Sequence, residues 1–107
     1  MQNVVFMGSR GLAGTAVMMR RGDRTEPLPL HLEVYNHSPS GFEWGYLGSG
    51  PAQLALALCV EVVGVERALR VYQQVKENLI TTIAEPDWVL TGALVLQAVV
   101  DAEQQAV

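Results

Sequence analysis

Positive charge, cysteine and long apolar runs are all scarce in this chain, and each scarcity excludes something. Seven lysines and arginines stand against eleven acids, a formal charge of −4. Binding a phosphate backbone needs clustered positive charge, so the composition argues against a nucleic-acid partner. The lone Cys59 cannot close an intramolecular disulfide and lies inside an apolar run, which points to a reducing, cytoplasmic compartment. Met1 to Arg10 shows no basic region followed by an apolar core, so no secretory signal is read there. The longest apolar stretches, 54–60 and 88–100, fall short of the ~20 residues that span a bilayer, and no membrane association is expected. Internal repeats and low-complexity segments are also missing.

Two short motifs lose their usual meaning in that setting. Asn36-His37-Ser38 has the glycosylation spacing, but Pro39 follows it and no secretion signal supports it. Arg21-Gly22-Asp23 reads as a hairpin turn.

What is present is apolar. Half of the 107 residues are hydrophobic, 17% are charged and the mean hydropathy is +0.20, which excludes a disordered tail. The length allows one domain, 1–107, with one core. The hydrophobic content exceeds what a monomer of this size requires and suggests a partner surface. Charge is uneven along the chain: residues 1–40 carry four arginines against three acids, and residues 41–107 carry three cations against eight carboxylates. Such a gradient permits an acidic surface that docks on a basic partner or mimics nucleic acid, although a merely solvated face is the commoner meaning of eight acids in 67 residues.

Residues 1–37 are expected to be strands. Asn3 to Met7 is a short β-branched run ended by Gly8-Ser9, Gly11 and Gly14 bracket a turn, and Thr15 to Met19 is a second run. Pro27 and Pro29 keep the chain extended and rule out a central strand there. In Leu30 to His37 the apolar Leu30, Leu32 and Val34 alternate with His31, Glu33, Tyr35 and His37, the period of a half-buried strand. Residues 38–50 form a glycine-rich loop with Trp44 and Tyr46 as expected anchors.

After Gly50 the period lengthens, and residues 51–107 are expected to be helical. Pro51 suits a first helical position after a cap at Ser49 or Gly50. The first helix, apolar on nearly every side from Gln53 to Val63, should be central, and Gly64 should end it. A second helix from about Val65 would turn Val65, Ala68, Leu69, Tyr72, Val75 and Leu79 inward. Thr91 can cap a third, with Leu94, Val95, Ala98 and Ala102 inward. The expected fold is α+β: a small antiparallel sheet of about three strands packed by about three helices. Covering the apolar run 88–100, read as helix, predicts a homodimer.

Three sets of residues could carry chemistry. The loop Glu43, Trp44, Tyr46, Gly48, Ser49 and Gly50 ends at a helix start, where free N–H groups and the helix dipole can hold an anion or nucleotide. Its spacing matches no phosphate loop, no lysine follows the last glycine, and Pro51 removes a donor. The other reading is that the glycines shape the loop while the aromatics fix it. His31, Glu33 and His37 offer metal-ligating or acid–base groups, but on one strand they spread over ~20 Å. Cys59 sits in a core-like run, and no serine lies in a nucleophile elbow. No catalytic residue, metal or cofactor is assigned.

The run from Ser38 through Phe42-Glu43-Trp44-Gly45-Tyr46-Leu47-Gly48-Ser49-Gly50-Pro51 to Ala55 resembles a small family known only as a domain of unknown function. Gly8, Tyr72 and Trp88 are compatible with it. The resemblance implies a habitat in bacteria, archaea and their phages and plasmids, and no reaction. By analogy, small acidic proteins of mobile elements are often accessory factors that bind host or element-encoded proteins, including inhibitors of defence systems. The expectation is therefore a protein-binding factor contacting its partner through the loop around Trp44, Tyr46 and Gly48 with the acids Glu43, Glu85 and Asp87; the alternative is a small-ligand or anion-binding domain.

Overall fold

A computed structural model describes residues 3–105. Residues 1 and 2 of the expected strand region and residues 106 and 107 of the expected helical region lie outside the described residues. The fold is α+β. β1 (Val4–Gly11) and β2 (Gly14–Arg21) form a hairpin with Val4 opposite Arg21 and Gly11 opposite Gly14. Gly22-Asp23 then turns the chain into β3 (Arg24–Pro27), and Gly22 holds φ 62°, which a two-residue turn of this kind requires of its first position. β3 lies at a sheet edge, the place where Pro27 is tolerated.

The sheet order is β3-β2-β1-β4, entirely antiparallel. β4 (Trp88–Thr91) was not expected. The apolar run 88–100, anticipated as helix, is cut in two: four residues pair with β1, and α3 (Gly92–Gln105) begins directly after them. The expected Thr91 cap is present, its Oγ1 accepting the Leu94 N–H at 3.1 Å.

The helices pack on one sheet face. α1 (Ser49–Val63) starts two residues earlier than expected, with Gly48 as cap. It is buried on nearly every side; Leu54, Leu56 and Leu58 are fully enclosed, each contributing roughly 2–3 kcal/mol. Gly64, at φ 86°, links it to α2 (Val65–Asn78). In α2 the buried face is Ala68, Val71, Tyr72 and Val75, while Val65 and Leu69, expected inside, are exposed. In α3 Val99 takes the inward place foreseen for Leu94, which is exposed. A short 3₁₀ turn, Ile80–Thr82, precedes β4. Arg67 grips Glu103 through two bonds of 2.7 and 2.9 Å, joining α2 to α3.

The largest departure from the sequence reading lies at 30–37, which is not a strand. His31 takes φ 57°, and its carbonyl accepts the N–H groups of Val34 and Tyr35, closing a turn. The backbone groups a strand would have paired go instead to one buried side chain of α1. Gln53 Oε1 accepts from the His37 and Ser38 N–H groups at 2.7 and 2.9 Å, and its Nε2 donates to the Leu30 and Tyr35 carbonyls at 2.7 and 3.0 Å. All four bonding positions of the amide are filled.

Candidate functional site

The glycine-rich loop sits at the end of the β1–β2 hairpin, where Arg10 and Thr15 bond it directly and Gly8 makes room for the Trp88 ring that Trp44 packs on. Gly8 lies under the Trp88 ring; a Cβ would occupy the ring's own space. Arg10, two pairs further along, reaches from the sheet to the loop. Its Nη2 donates to Glu43 Oε1 at 2.7 Å and to the Trp44 carbonyl at 3.2 Å, and its guanidinium stacks 4.6 Å from the Trp44 ring centroid. Thr15, opposite Arg10, donates its hydroxyl to the Phe42 carbonyl at 2.7 Å.

Trp44 anchors the loop and, at 1% exposed, is not the partner-contacting residue the sequence reading also made it, because its ring is enclosed in the core. Its Nε1–H donates to the Glu85 carbonyl at 3.1 Å, and its ring meets Trp88 edge-to-face at 5.4 Å. These contacts bring in the segment before β4, where Asp87 accepts the Arg10 backbone N–H at 3.4 Å. Glu43 and Asp87 thus both bond Arg10, Glu43 through its side chain and Asp87 at its backbone, while Glu85 meets the loop only through its carbonyl on Trp44 and its side chain is exposed. Charge placement in the sequence does not foresee an arginine beside these acids; Arg10 counts there only as one of the four N-terminal arginines.

Tyr46 is not an anchor, contrary to expectation. It is 50% exposed and its neighbour Leu47 67% exposed, forming an apolar crest on the loop. The crest is held from both sides. Gly45, at φ 88°, donates its N–H to the Ile80 carbonyl at 3.1 Å, and the Tyr46 ring lies over Gly48. Ser49 and Gly50 belong to the first turn of α1 rather than to a loop. Gly50 is buried, and a Cβ there would lie 2.7 Å from Glu43 Cβ. The space that an anion would enter at the helix start is therefore lined by the Tyr46 ring and the Glu43 stem, with a carboxylate already at hand.

The two histidines go to different partners. His31 Nε2 bonds Glu61 at 2.6 Å and Nδ1 approaches Glu33 at 3.4 Å, while Arg21 reaches the same Glu61 at 3.1 Å. His37 bonds the Tyr72 hydroxyl at 2.7 Å and stacks on Tyr35 at 4.3 Å. Burial, with the nearby Lys76 charge, lowers the His37 pKa below its ordinary value, and burial raises that of Tyr72. Among the described residues no three His, Cys, Asp or Glu side chains are grouped to hold a metal ion. Cys59 is fully enclosed and its thiol is pushed up to about 12 by burial. No helix among the described residues is long and apolar enough to cross a membrane. A groove of about 630 Å³ lies away from the loop, between the end of α2 and α3, with Leu79, Leu94, Glu77 and Asp101 in its lining.

No curated protein and no solved structure matches the chain. Residues 6–101, from β1 into the last turns of α3, match the sequence model of the family of unknown function DUF6166, and the chain belongs to that family.

Proposed function

We propose that this chain is a small accessory protein of a mobile genetic element that acts by binding another protein, with a host defence complex as its target. The observation that carries the binding reading is the Tyr46–Leu47 crest. Two apolar side chains stand in solvent on a segment whose base is fixed by Trp44, Arg10 and the start of α1. A preorganised apolar crest pays little ordering entropy on binding, and an exposed Tyr is a typical interface anchor. The surrounding Glu43, Glu85 and Asp87 favour a basic rim on the partner. The anion-binding alternative is disfavoured at the helix start by the acidic Glu43, whose stem packs against Gly50.

The test compares the wild type with a Tyr46→Ser, Leu47→Ser double variant. Proteins from a host lysate that the wild type retains and the variant loses, at unchanged melting temperature, sustain the reading. Identical retention by both, or a thermal upshift with phosphate or ATP, would sink it. Expression in a restriction- or CRISPR-competent host should raise plasmid transformation; no rise would remove the defence target while leaving the binding surface standing.

A further inference from the structure

The two edges of the sheet are finished differently. β3 ends one side with Arg24, Glu26 and Pro27, and all its residues are exposed. Charges and proline are the devices by which natural edges discourage an added strand. β4 ends the other side as Trp88-Val89-Leu90-Thr91, with neither a charge nor a proline. It is paired only with β1, so alternate residues direct N–H and C=O groups outward. Among the described residues no loop backbone group bonds to them.

The outer face adds a second observation. Antiparallel sheets covered on one side usually turn polar residues to solvent. Here Pro27, Met18, Met7 and Val89 lie opposite one another across all four strands, an apolar row that runs to the open edge, where Val89 is 62% exposed.

We infer that a second copy of this chain adds at β4, antiparallel, with Val89 opposite the partner's Val89, to form one eight-stranded sheet. A strand paired with itself about a two-fold axis is self-complementary, and no charge within β4 opposes it. The apolar row continues from one copy into the other. Both outer edges of the joined sheet are then β3, charged and proline-bearing, so assembly closes at two. In that register Trp88 faces Leu90 and Thr91 faces Asp87, so three residues of β4 pair over only about 10 Å, no like charges meet, and the dimer is weak and concentration-dependent. Leu94, exposed in the first turn after β4, is placed to add a contact in the helix layer. Tyr46 and Leu47 lie on a different segment, with Asp87 bordering both surfaces, and the Tyr46→Ser, Leu47→Ser variant should dimerise as the wild type does.

The test uses light scattering across a dilution series together with cross-linking. The wild-type mass should rise from 11.6 kDa toward twice that value with concentration. Val89→Cys under mild oxidation should yield disulfide-linked dimer about tenfold more than Thr25→Cys on the β3 edge, since a disulfide demands close, aligned Cβ atoms. The native Cys59 is enclosed and unreactive, so it does not confuse the readout. Val89→Lys should hold the mass at 11.6 kDa with an unchanged circular dichroism spectrum. A wild type of 11.6 kDa at every concentration, or equal cross-linking by the two cysteine variants, overturns the inference. So does a monomer whose β4 amides become protected only on adding an extended peptide.

Discussion

The chain between β3 and α1 divides into two stretches that are both irregular and are held in different ways. Residues 28–41 depend on polar groups that converge on one side chain, since Gln53 alone takes four backbone partners from Leu30, Tyr35, His37 and Ser38. Residues 42–48 are held by many small contacts: Trp44 in the core, Arg10 across its face, Thr15 on Phe42, and glycines that admit close neighbours. A hub should fail abruptly when its centre is removed, whereas distributed packing should weaken by degrees.

The sharpest way to break this contrast is Gln53→Leu, which keeps the volume and removes every bond. Four backbone groups would lose their partner beside a fully buried position, and a loss of about 3 kcal/mol or more is expected in urea unfolding. Less than about 1 kcal/mol would mean that the segment is held by its apolar contacts instead. Gly45→Ala in the second stretch should cost about 2 kcal/mol, because φ 88° disfavours a side chain and the Cβ would approach the Ile83 carbonyl at 2.8 Å. Arg10→Ala should cost under about 1 kcal/mol, since the Glu43 pair is half-exposed and screened by solvent. It should nonetheless alter Trp44 fluorescence. An effect as large as that of Gln53→Leu would make the second stretch a hub as well.

The smallest expected effect is a pH response confined to the first stretch. The folded His37 has a lowered pKa, so the unfolded chain binds more protons between that value and the unfolded value near 6.5. Its contribution to stability is fully present above about 6.5 and is lost as pH falls below it. The slope should disappear in His37→Gln and persist in Arg10→Ala. If His37→Gln leaves the denaturation midpoint with the same pH dependence, the assignment is wrong.

The same contrast explains what could be read from the sequence. The β1–β2 hairpin, the enclosed α1, the Gly64 break and the Thr91 cap were legible because each is a local signal: β-branched runs between glycines, all-round hydrophobicity, a capping residue at the right offset. The strand at 30–37 was misread because Leu30, Leu32 and Val34 alternate for packing reasons, while the backbone bonds go to Gln53, a partner far along the chain that no period reveals. β4 was hidden because it is four residues long and runs straight into a helix of similar composition. Within the candidate site, Trp44 was correctly taken as an anchor. Tyr46 was not, because two aromatics one residue apart give no indication of which one turns inward. The role of Arg10 depends on the hairpin placing it beneath the loop.

The tryptophans carry a practical consequence. The sequence has two, Trp44 and Trp88, and they lie 5.4 Å apart with planes at 89°, one beneath a guanidinium and the other stacked on Gly8. Emission excited selectively at tryptophan therefore samples one junction, where β1, β4 and the loop meet. An optical melting curve of this protein reports the detachment of that junction, so agreement with a far-ultraviolet curve would mean that the loop and the sheet come apart together, and an earlier optical transition would mean that the loop lets go first.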